Sequence, residues 1–299
     1  MDIRYRGKII GAAALLALLT GPAGEARGDS LAQLYAAARE TATFVQPPAT
    51  EVVAAEELFA TLSAGKDGAD AAARQQGFEL LATREGDTDF RVLREAGDKR
   101  RGRGFYLFRQ GTAWPAALMM PHAFTDEDTG RIGLRLMLEG RIAAAAWNTV
   151  RRRPAAGGSA AVNQDLAHLP ASGFTAFTRA VARTRPNGLL LQLHGFAEKR
   201  KGKTLTAAAV VSSGTATPSV KARTFTACLR RETGREILLY PDGPEDLGGT
   251  TNVSGRIVRG LGQDGFIHLE LARSYRRELR DQPDKRQQLL RCLEETAAL

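Results

Sequence analysis

Short apolar runs alternate along most of the chain with longer stretches in which apolar residues recur every three or four positions. The three- and four-residue spacing is typical of amphipathic helices, and short apolar runs bounded by Gly, Asp or Pro are typical of strands. This pattern predicts helices at residues 31–43, 50–64, 129–138, 165–183, 220–231 and 286–297. It predicts strands at residues 78–82, 90–94, 105–108, 116–120, 142–150, 189–193, 207–212, 236–240 and 266–271.

The order of these elements predicts an α/β fold. Strands that alternate with helices favour a mostly parallel sheet covered on both faces, and the turn-separated strands within 78–108 resemble a meander. We therefore expect a single domain at residues 75–299, with a mixed, mostly parallel sheet flanked by helices. Residues 27–74 are predicted to form an N-terminal helical extension, and the glycine-rich segment 243–265 is predicted to be a loop.

The first 26 residues have the order of a secretory signal, in which basic residues precede an apolar run and small residues follow it. The apolar run at 9–19 has about 11 residues, whereas a bilayer span needs roughly 20. We expect residues 1–26 to be removed and the mature chain, without a membrane span, to be periplasmic or secreted. In such an oxidising compartment, Cys228 and Cys292 either form a disulfide or remain free buried thiols.

The chain is basic, with a formal net charge of +9. Its basic residues cluster in runs at 99–103, 151–153, 199–203 and 273–280. One interpretation is that these runs are solvated loops and helix faces, and another is that they attract a substrate with carboxylates. Nucleic acid is a poor candidate partner, because only 6% of the residues are aromatic and base stacking needs aromatic platforms.

Three of the four histidines lie at or within the end of an apolar, strand-like run. His122 follows one run and precedes the acidic residues Asp126 and Glu127, and His194 ends a second run. Ligands in α/β enzymes collect at the carboxyl ends of parallel strands. Catalytic zinc takes three protein ligands from His, Asp and Glu and keeps one position open. The sequence therefore predicts a metal site formed by His122, a carboxylate of this acidic loop and His194.

The third of these histidines, His268, lies two residues before Glu270 in the last predicted strand. Side chains alternate along a strand, so these two point to the same side. A partly buried carboxylate in this position suits a general base. The alternative is that Glu270 pairs with one of the arginines that follow it, at positions 273, 276 and 277.

Two polar segments have the chemistry to bind a substrate carboxylate or amide. They contain Asn148 and Arg151 in the first segment, and Asn252 and Arg256 in the second. Arginine binds a carboxylate through a two-point fork, and asparagine can hydrogen-bond an amide. The alternative is that all four are ordinary polar loop residues.

Taken together, these motifs resemble the zinc carboxypeptidase-like superfamily, and most nearly its poly-gamma-glutamate hydrolase and N-formylglutamate amidohydrolase branches. The motifs that carry the resemblance are Pro121-His122, the acidic residues 126–128, His194-Gly195 and Leu269-Glu270 followed by Arg273. The resemblance covers residues 105–280 and implies a mixed sheet flanked by helices that holds one zinc ion. It implies that His122, Asp126 and His194 are the zinc ligands and that Glu270 is the general base.

The sequence departs from this superfamily in its first metal motif. The His-x-x-Glu spacing of ordinary carboxypeptidases is absent, because Thr125 stands where the Glu would be. Either Asp126 or Glu127 could then supply the carboxylate. Asp126 is favoured, because its spacing to Thr129 is similar to the Glu-x-x-Thr of the poly-gamma-glutamate hydrolases.

These features predict an exported zinc-dependent hydrolase that cleaves an amide or peptide bond in a carboxylate-bearing substrate. A glutamyl peptide or a peptide derived from the cell wall would suit its basic character. The alternative is a non-catalytic protein of the same fold that binds an envelope polymer or peptide. The hydrolase would need Glu270 for its function, whereas the non-catalytic binding protein would not.

Overall fold

The computed structural model describes residues 29–39, 44–97, 100–152, 164–200 and 202–299, so the predicted signal peptide lies outside the described residues. A nine-stranded sheet forms the centre of the molecule. Its strands are β1 (Phe78–Glu85), β2 (Thr88–Glu95), β3 (Phe105–Arg109), β4 (Trp114–Met120), β5 (Ile142–Trp147), β6 (Leu189–Phe196), β9 (Ala209–Ser212), β10 (Ile237–Leu239) and β11 (Phe266–Ala272). The remaining two, β7 (Lys199–Arg200) and β8 (Lys203–Thr204), form a small separate hairpin.

Helices cover both faces of the sheet. They are α1 (Leu31–Ala38), α2 (Ala49–Ser63), α3 (Ala69–Gln75), α4 (Thr129–Glu139), α5 (Gly173–Thr184), α6 (Val220–Thr233), α7 (Val253–Gly260), α8 (Arg273–Asp281) and α9 (Pro283–Ala297). Core residues of α1, α4, α6, α8 and α9 pack on one face, and those of α2, α3, α5 and α7 pack on the other. Among the described helices, none combines the length and the apolar character needed to cross a membrane.

The strand order of the sheet is β1-β2-β3-β5-β4-β6-β11-β9-β10. The neighbours β5, β4, β6 and β11 run parallel to one another, so their carboxyl ends meet at one edge. The first three strands form an antiparallel meander that joins β5 through β3. One outer edge is β1, with charged residues Glu79, Arg84 and Glu85, and the other is β10, which has only three residues.

Alternating burial along the central strands explains the two-sided core. Along β4, Leu118 and Met120 face one helical layer, and Ala117 and Met119 face the other. A strand that is buried on both faces consists of a continuous apolar run, which is the pattern of this segment. The predicted single-domain α/β class with a mixed, mostly parallel sheet is confirmed. Helices α1 and α2 pack onto this sheet as part of its two cores.

The predicted helix at 165–183 is wrong in its first half. The observed helix begins at Gly173, where Ser172 and Thr175 cap each other: the Thr175 amide lies 3.3 Å from the Ser172 hydroxyl. Residues 165–168 instead form a turn, in which the main-chain amide of Ala167 donates to the Asp165 carboxylate. Asp side chains that accept such local bonds compete with helix formation.

The predicted loop at 243–265 is also wrong in part, because it contains α7 and a short 3-10 helix, Glu245–Leu247. Helix α7 lies very close to β11. A Cβ added at Gly255 would lie 2.8 Å from the Phe266 ring, so glycine permits the contact. The arginine-rich segment after β11 forms α8, which the sequence pattern did not indicate.

A disulfide joins helices α6 and α9. Cys228 and Cys292 are both fully buried, with their Cα atoms 5.5 Å apart. The bond closes a chain segment with a sequence separation of 64 residues. A cross-link of this span removes conformational entropy from the unfolded chain.

We expect the double variant Cys228→Ala/Cys292→Ala to lower the free energy of unfolding by about 2–4 kcal/mol, because the unfolded chain regains that entropy. Urea unfolding of the oxidised protein and of the variant measures the difference. A reducing agent should destabilise the wild-type protein and leave the variant unchanged. Equal midpoints for both proteins would show that the disulfide contributes nothing.

Candidate metal centre and its cavity

Two adjacent strands carry most of the candidate site. Along one face of β6, Leu190 lies in the core, and Gln192 and His194 follow at the two-residue period of a strand. On β11, His268 pairs in register with Gln192, and Glu270 pairs with His194. The same face therefore changes from apolar to polar toward the carboxyl ends of both strands.

Three side chains converge on one point beside this polar face. His122 lies in the turn after β4, and its Nδ1 is 3.2 Å from Oδ2 of Asp126. Nδ1 of His194 is 3.1 Å from Nδ1 of His122 and 3.4 Å from the same Asp126 oxygen. The three ligand atoms lie within 4.8 Å of one another, and the two histidines are buried. Two imidazoles and one carboxylate form a donor set suited to a divalent metal ion.

The turn that carries Asp126 is held in place by local hydrogen bonds. The main-chain amide of Asp126 donates to the carbonyl of His122 at 2.9 Å. The Thr129 hydroxyl donates to the Asp126 carbonyl at 2.8 Å, and the main-chain amide of Gly195 donates to the Asp126 carboxylate at 3.2 Å. The carboxylate is thus oriented by both its own turn and the end of β6.

Both histidines use their second ring nitrogen to contact a supporting side chain. Nε2 of His122 lies 2.9 Å from Oδ1 of Asp165, and Nε2 of His194 lies 2.8 Å from Oε1 of Gln192. Metal-binding histidines commonly donate their other N–H to such a partner, which fixes the ring orientation. Both Nδ1 atoms are therefore turned toward Asp126.

The electrostatics of the three groups differ. Burial alone would lower the pKa of His122, but hydrogen bonds to Asp126 and Asp165 outweigh it and raise the pKa to about 9. Burial, and next the neighbouring His268, lower the pKa of His194 to about 4. Burial would raise the pKa of Asp126, but the hydrogen bond and positive charge of His122 hold that pKa well below its usual value. At neutral pH the metal-free site therefore holds a cationic His122, a neutral His194 and an ionised Asp126.

Glu270 lies beside this set and contacts His268. Its Oε1 is 3.2 Å from Nε2 of His268, and, within the described part of the chain, its buried Oε2 has no hydrogen-bond partner. His194, His268 and Glu270 form a second group of potential ligand atoms within 4.8 Å of one another. The two groups share His194.

Arg276 of α8 lies behind the site and is buried. Its guanidinium donates to the main-chain carbonyls of Glu127 at 2.7 Å and Phe196 at 3.1 Å, and also to that of Leu271. It therefore links the acidic loop to the ends of β6 and β11. A Cβ added at Gly195 would lie 2.2 Å from this guanidinium, so glycine allows the close approach.

A cavity of about 620 Å³ opens above these residues. His122, Asp126, His194, His268 and Glu270 line it together with Arg152, His168, Asn252 and the segments 245–246 and 249–251. Of the predicted substrate-binding residues, only Asn252 is among the described residues that line the cavity. Asn148 is buried and binds the main chain, donating to the Pro121 carbonyl and accepting from the Val150 amide. Arg151 and Arg256 are exposed outside the cavity.

The sequence pattern indicated no role for two residues of the site, Asp165 and Gln192, and it indicated Arg152 only as a member of the basic run 151–153. Asp165 and Gln192 support the two histidines, and Nε of Arg152 donates to Asp165 at 2.7 Å. A weak signal existed for Gln192, because it is a polar residue on the same strand face as His194. Asp165 lies 43 residues from His122 in sequence, and no local pattern links them.

Comparisons with known proteins add little to this picture. No protein-family model and no curated protein matches the sequence. Among solved structures, gene product Atu2144 from Agrobacterium tumefaciens matches with 14% identity and a TM-score of 0.40, over 62% of this chain and 90% of that one.

Two further structures are each described as a "putative metallopeptidase". The one from Shewanella amazonensis has 10% identity and a TM-score of 0.32, over 80% of this chain and 90% of its own. The one from Shewanella denitrificans has 9% identity and a TM-score of 0.35, over 77% of this chain and 87% of its own. Similarity at this level assigns no function to this chain, and the likeness to the zinc carboxypeptidase-like superfamily stays a prediction.

We expect the purified protein to bind about one divalent ion per chain, because three ligands and an open position satisfy a single ion. His122→Ala and His194→Ala each remove a ligand and should abolish tight binding. His168→Ala, which removes a half-exposed histidine at the cavity wall, is the matched control and should retain the ion. Metal analysis after incubation with zinc and dialysis measures all four proteins. Unchanged metal content in both ligand variants would place the ion elsewhere.

We also expect metal binding to release about one proton per ion at pH 7, because the ion replaces the proton that the raised pKa keeps on His122. Apparent affinity should then rise by about tenfold per pH unit up to the His122 pKa of about 9, and level off above it. His194 is neutral throughout this range and contributes no proton. Calorimetric titration in buffers of different ionisation enthalpy counts the protons. An affinity that stays flat between pH 7 and 8.5 would contradict a protonated His122.

Proposed function

We propose that the protein is an exported zinc-dependent hydrolase that cleaves an amide or peptide bond in a carboxylate-bearing substrate. The observation that carries the proposal is that the ligand set of His122, Asp126 and His194 shares one cavity with the carboxylate of Glu270. A metal ligand set and an independent proton acceptor are the two components of metal-assisted amide hydrolysis.

The donor set fits zinc, which binds imidazole nitrogens and carboxylate oxygens and retains an open position when it acts in catalysis. When bound, zinc would supply a Lewis acid that polarises a substrate carbonyl and lowers the pKa of water. The protein provides the orientation, because Asp165 and Gln192 fix the rings of the two histidines.

Glu270 is suited to the role of general base. It lies on the strand adjacent to His194, and its Oε2 is buried at the cavity wall and is not engaged by another described side chain. In this role the carboxylate accepts a proton from the attacking water and returns it to the leaving amine. The contact from His268 to Oε1 holds the carboxylate so that Oε2 remains available.

The cavity supports a small substrate that carries a carboxylate. Its volume of about 620 Å³ is within the range of small-molecule sites and would hold a short peptide. Arg152 at its wall is partly exposed, and besides its ion pair with Asp165 it adds a positive charge that attracts a substrate carboxylate. A glutamyl or cell-wall-derived peptide has the required chemistry.

Export is supported by the order of charged, apolar and small residues in the first 26 positions and by the disulfide. Disulfides form and persist in oxidising compartments such as the periplasm or the extracellular space. A cell-wall peptide would be available to a protein in either place.

We expect Glu270→Gln to lower kcat by about 10²–10⁴-fold with unchanged zinc content, because the amide keeps the shape of the side chain and cannot accept the proton. The measurement is hydrolysis of a panel of N-acyl-glutamate, gamma-glutamyl and peptidoglycan-type peptides. Glu245→Gln, which removes an exposed carboxylate at the cavity rim, is the control and should retain most activity. A zinc-loaded wild-type protein that binds these peptides without cleaving any of them would favour the non-catalytic binding protein.

A further inference from the structure

The side-chain amide of Asn252 has an orientation that the main chain determines. Asn252 is the N-cap of α7, and its Oδ1 accepts from the main-chain amides of Ser254 at 3.0 Å and Gly255 at 3.4 Å. Main-chain N–H groups can only donate, so the oxygen of this side chain must face them. The Nδ2 donor of Asn252 is thereby directed at Gln192.

The orientation of Gln192 follows from that of Asn252. Its Oε1 accepts from Asn252 Nδ2, while its own Nε2 lies 3.9 Å from the sulfur of Met119. The same Oε1 is 2.8 Å from Nε2 of His194. An amide oxygen can only accept, so Nε2 of His194 must carry the hydrogen. Both amides are almost wholly buried, so bulk water competes little with these hydrogen bonds.

We propose that Asn252 and Gln192 form a relay of positioning residues that fixes the tautomer of His194, with the hydrogen on Nε2 and the lone pair on Nδ1. The proposal rests on the metal site described above. It gives both amides a role in that site, and this role depends on the hydrogen bonds by which Asn252 caps α7. Its direct consequence is a His194 that is ready to bind a metal ion before any ion is present.

The tautomer that the relay fixes also determines where the free lone pair of His194 points. One ring nitrogen can bind only one ion, and the nitrogen that the relay leaves unprotonated is Nδ1. That atom lies 3.1 Å from His122 Nδ1 and 3.4 Å from the Asp126 carboxylate. The lone pair that can bind an ion is therefore directed at His122 and Asp126.

The two ligand histidines are supported by different groups: an uncharged amide, Gln192, supports His194, and a carboxylate, Asp165, supports His122. Nε2 of His122 faces the carboxylate of Asp165, whose charge favours a cationic ring. The amide of Gln192 accepts the same kind of hydrogen bond without adding a charge. It can therefore fix the hydrogen of His194 while the ring stays neutral, which is the form that binds metal.

The test compares two variants that each add one carboxylate to the relay. Asp is an accepted N-cap residue, so Asn252→Asp keeps the cap but loses the donor. Gln192 must then turn its NH2 toward the new carboxylate and toward Nε2 of His194, which moves the ring hydrogen to Nδ1. In Gln192→Glu, both carboxylate oxygens accept, so Asn252 and His194 keep their present roles.

Two measurements report the result. Nitrogen-15 NMR of the metal-free proteins shows which ring nitrogen of His194 carries the hydrogen, with signals assigned through variants of the other three histidines. Zinc titration gives the affinity. We expect Asn252→Asp to show the Nδ1–H form and to bind zinc about 10–100-fold more weakly, as loss of a supporting partner does. Gln192→Glu should keep the Nε2–H form and bind zinc at least as tightly as the wild type.

Simple electrostatics predicts a different result, because each added negative charge would strengthen zinc binding. A parallel change in both variants, or an Nδ1–H form in the wild type, would overturn the relay. If a buried charge prevents either variant from folding, Gln192→Met provides a test without added charge. Because Met offers His194 no strong acceptor, we expect a mixture of the two tautomers and a comparable loss of zinc affinity. An unchanged Nε2–H form in this variant would overturn the proposal. A wild-type protein with the Nε2–H form that binds no zinc would remove the proposed function and support the relay.

Discussion

The parallel pairing of β6 with β11 is the constraint on which the site depends. Its register places Gln192 beside His268 and His194 beside Glu270, so these four polar side chains form one block on the same face of the two strands. A shift of the register by one residue would turn the members of one strand to the opposite face. The apolar residues earlier in both strands oppose such a shift, because they are buried between the sheet and the helices.

A buried block of polar groups is stable only when its members are hydrogen-bonded. Here Asp165 and Gln192 engage the two ligand histidines, and Asn252 engages Gln192. Arg276 adds a positive charge behind the block, and its donors are used by main-chain carbonyls from three segments. The carboxylates of Asp126 and Glu270 both lie close enough to Arg276 to interact with its charge.

Much of the sheet could be predicted from the sequence, because buried central strands are continuous apolar runs. The histidines at the ends of these runs indicated where the site lies. Parallel strands carry their carboxyl ends to one edge, so His122 and His194, 72 residues apart, could be expected to meet. The disulfide remained open, since sequence spacing alone does not determine whether two cysteines come within bonding distance.

Other parts of the site could not be predicted, for identifiable physical reasons. The segment 165–172 has the spacing of a helix, but the side-chain hydrogen bonds of Asp165 and Ser172 select a turn followed by a cap. Glycines before and within α7 indicated a loop, because glycine disfavours helices, yet packing against α5 and β11 stabilises this helix. The partners of Gln192 and Asp165 lie far away in the sequence and became visible only in the fold.

The two outer strands of the sheet bear on how the protein behaves at high concentration. An exposed strand edge is a template on which a second chain can add a strand and begin to aggregate. Charged side chains on β1 disfavour that addition at one edge, and the three-residue length of β10 leaves little template at the other. The sheet can therefore carry long apolar central strands without offering them to neighbouring molecules, which favours a protein that remains dispersed.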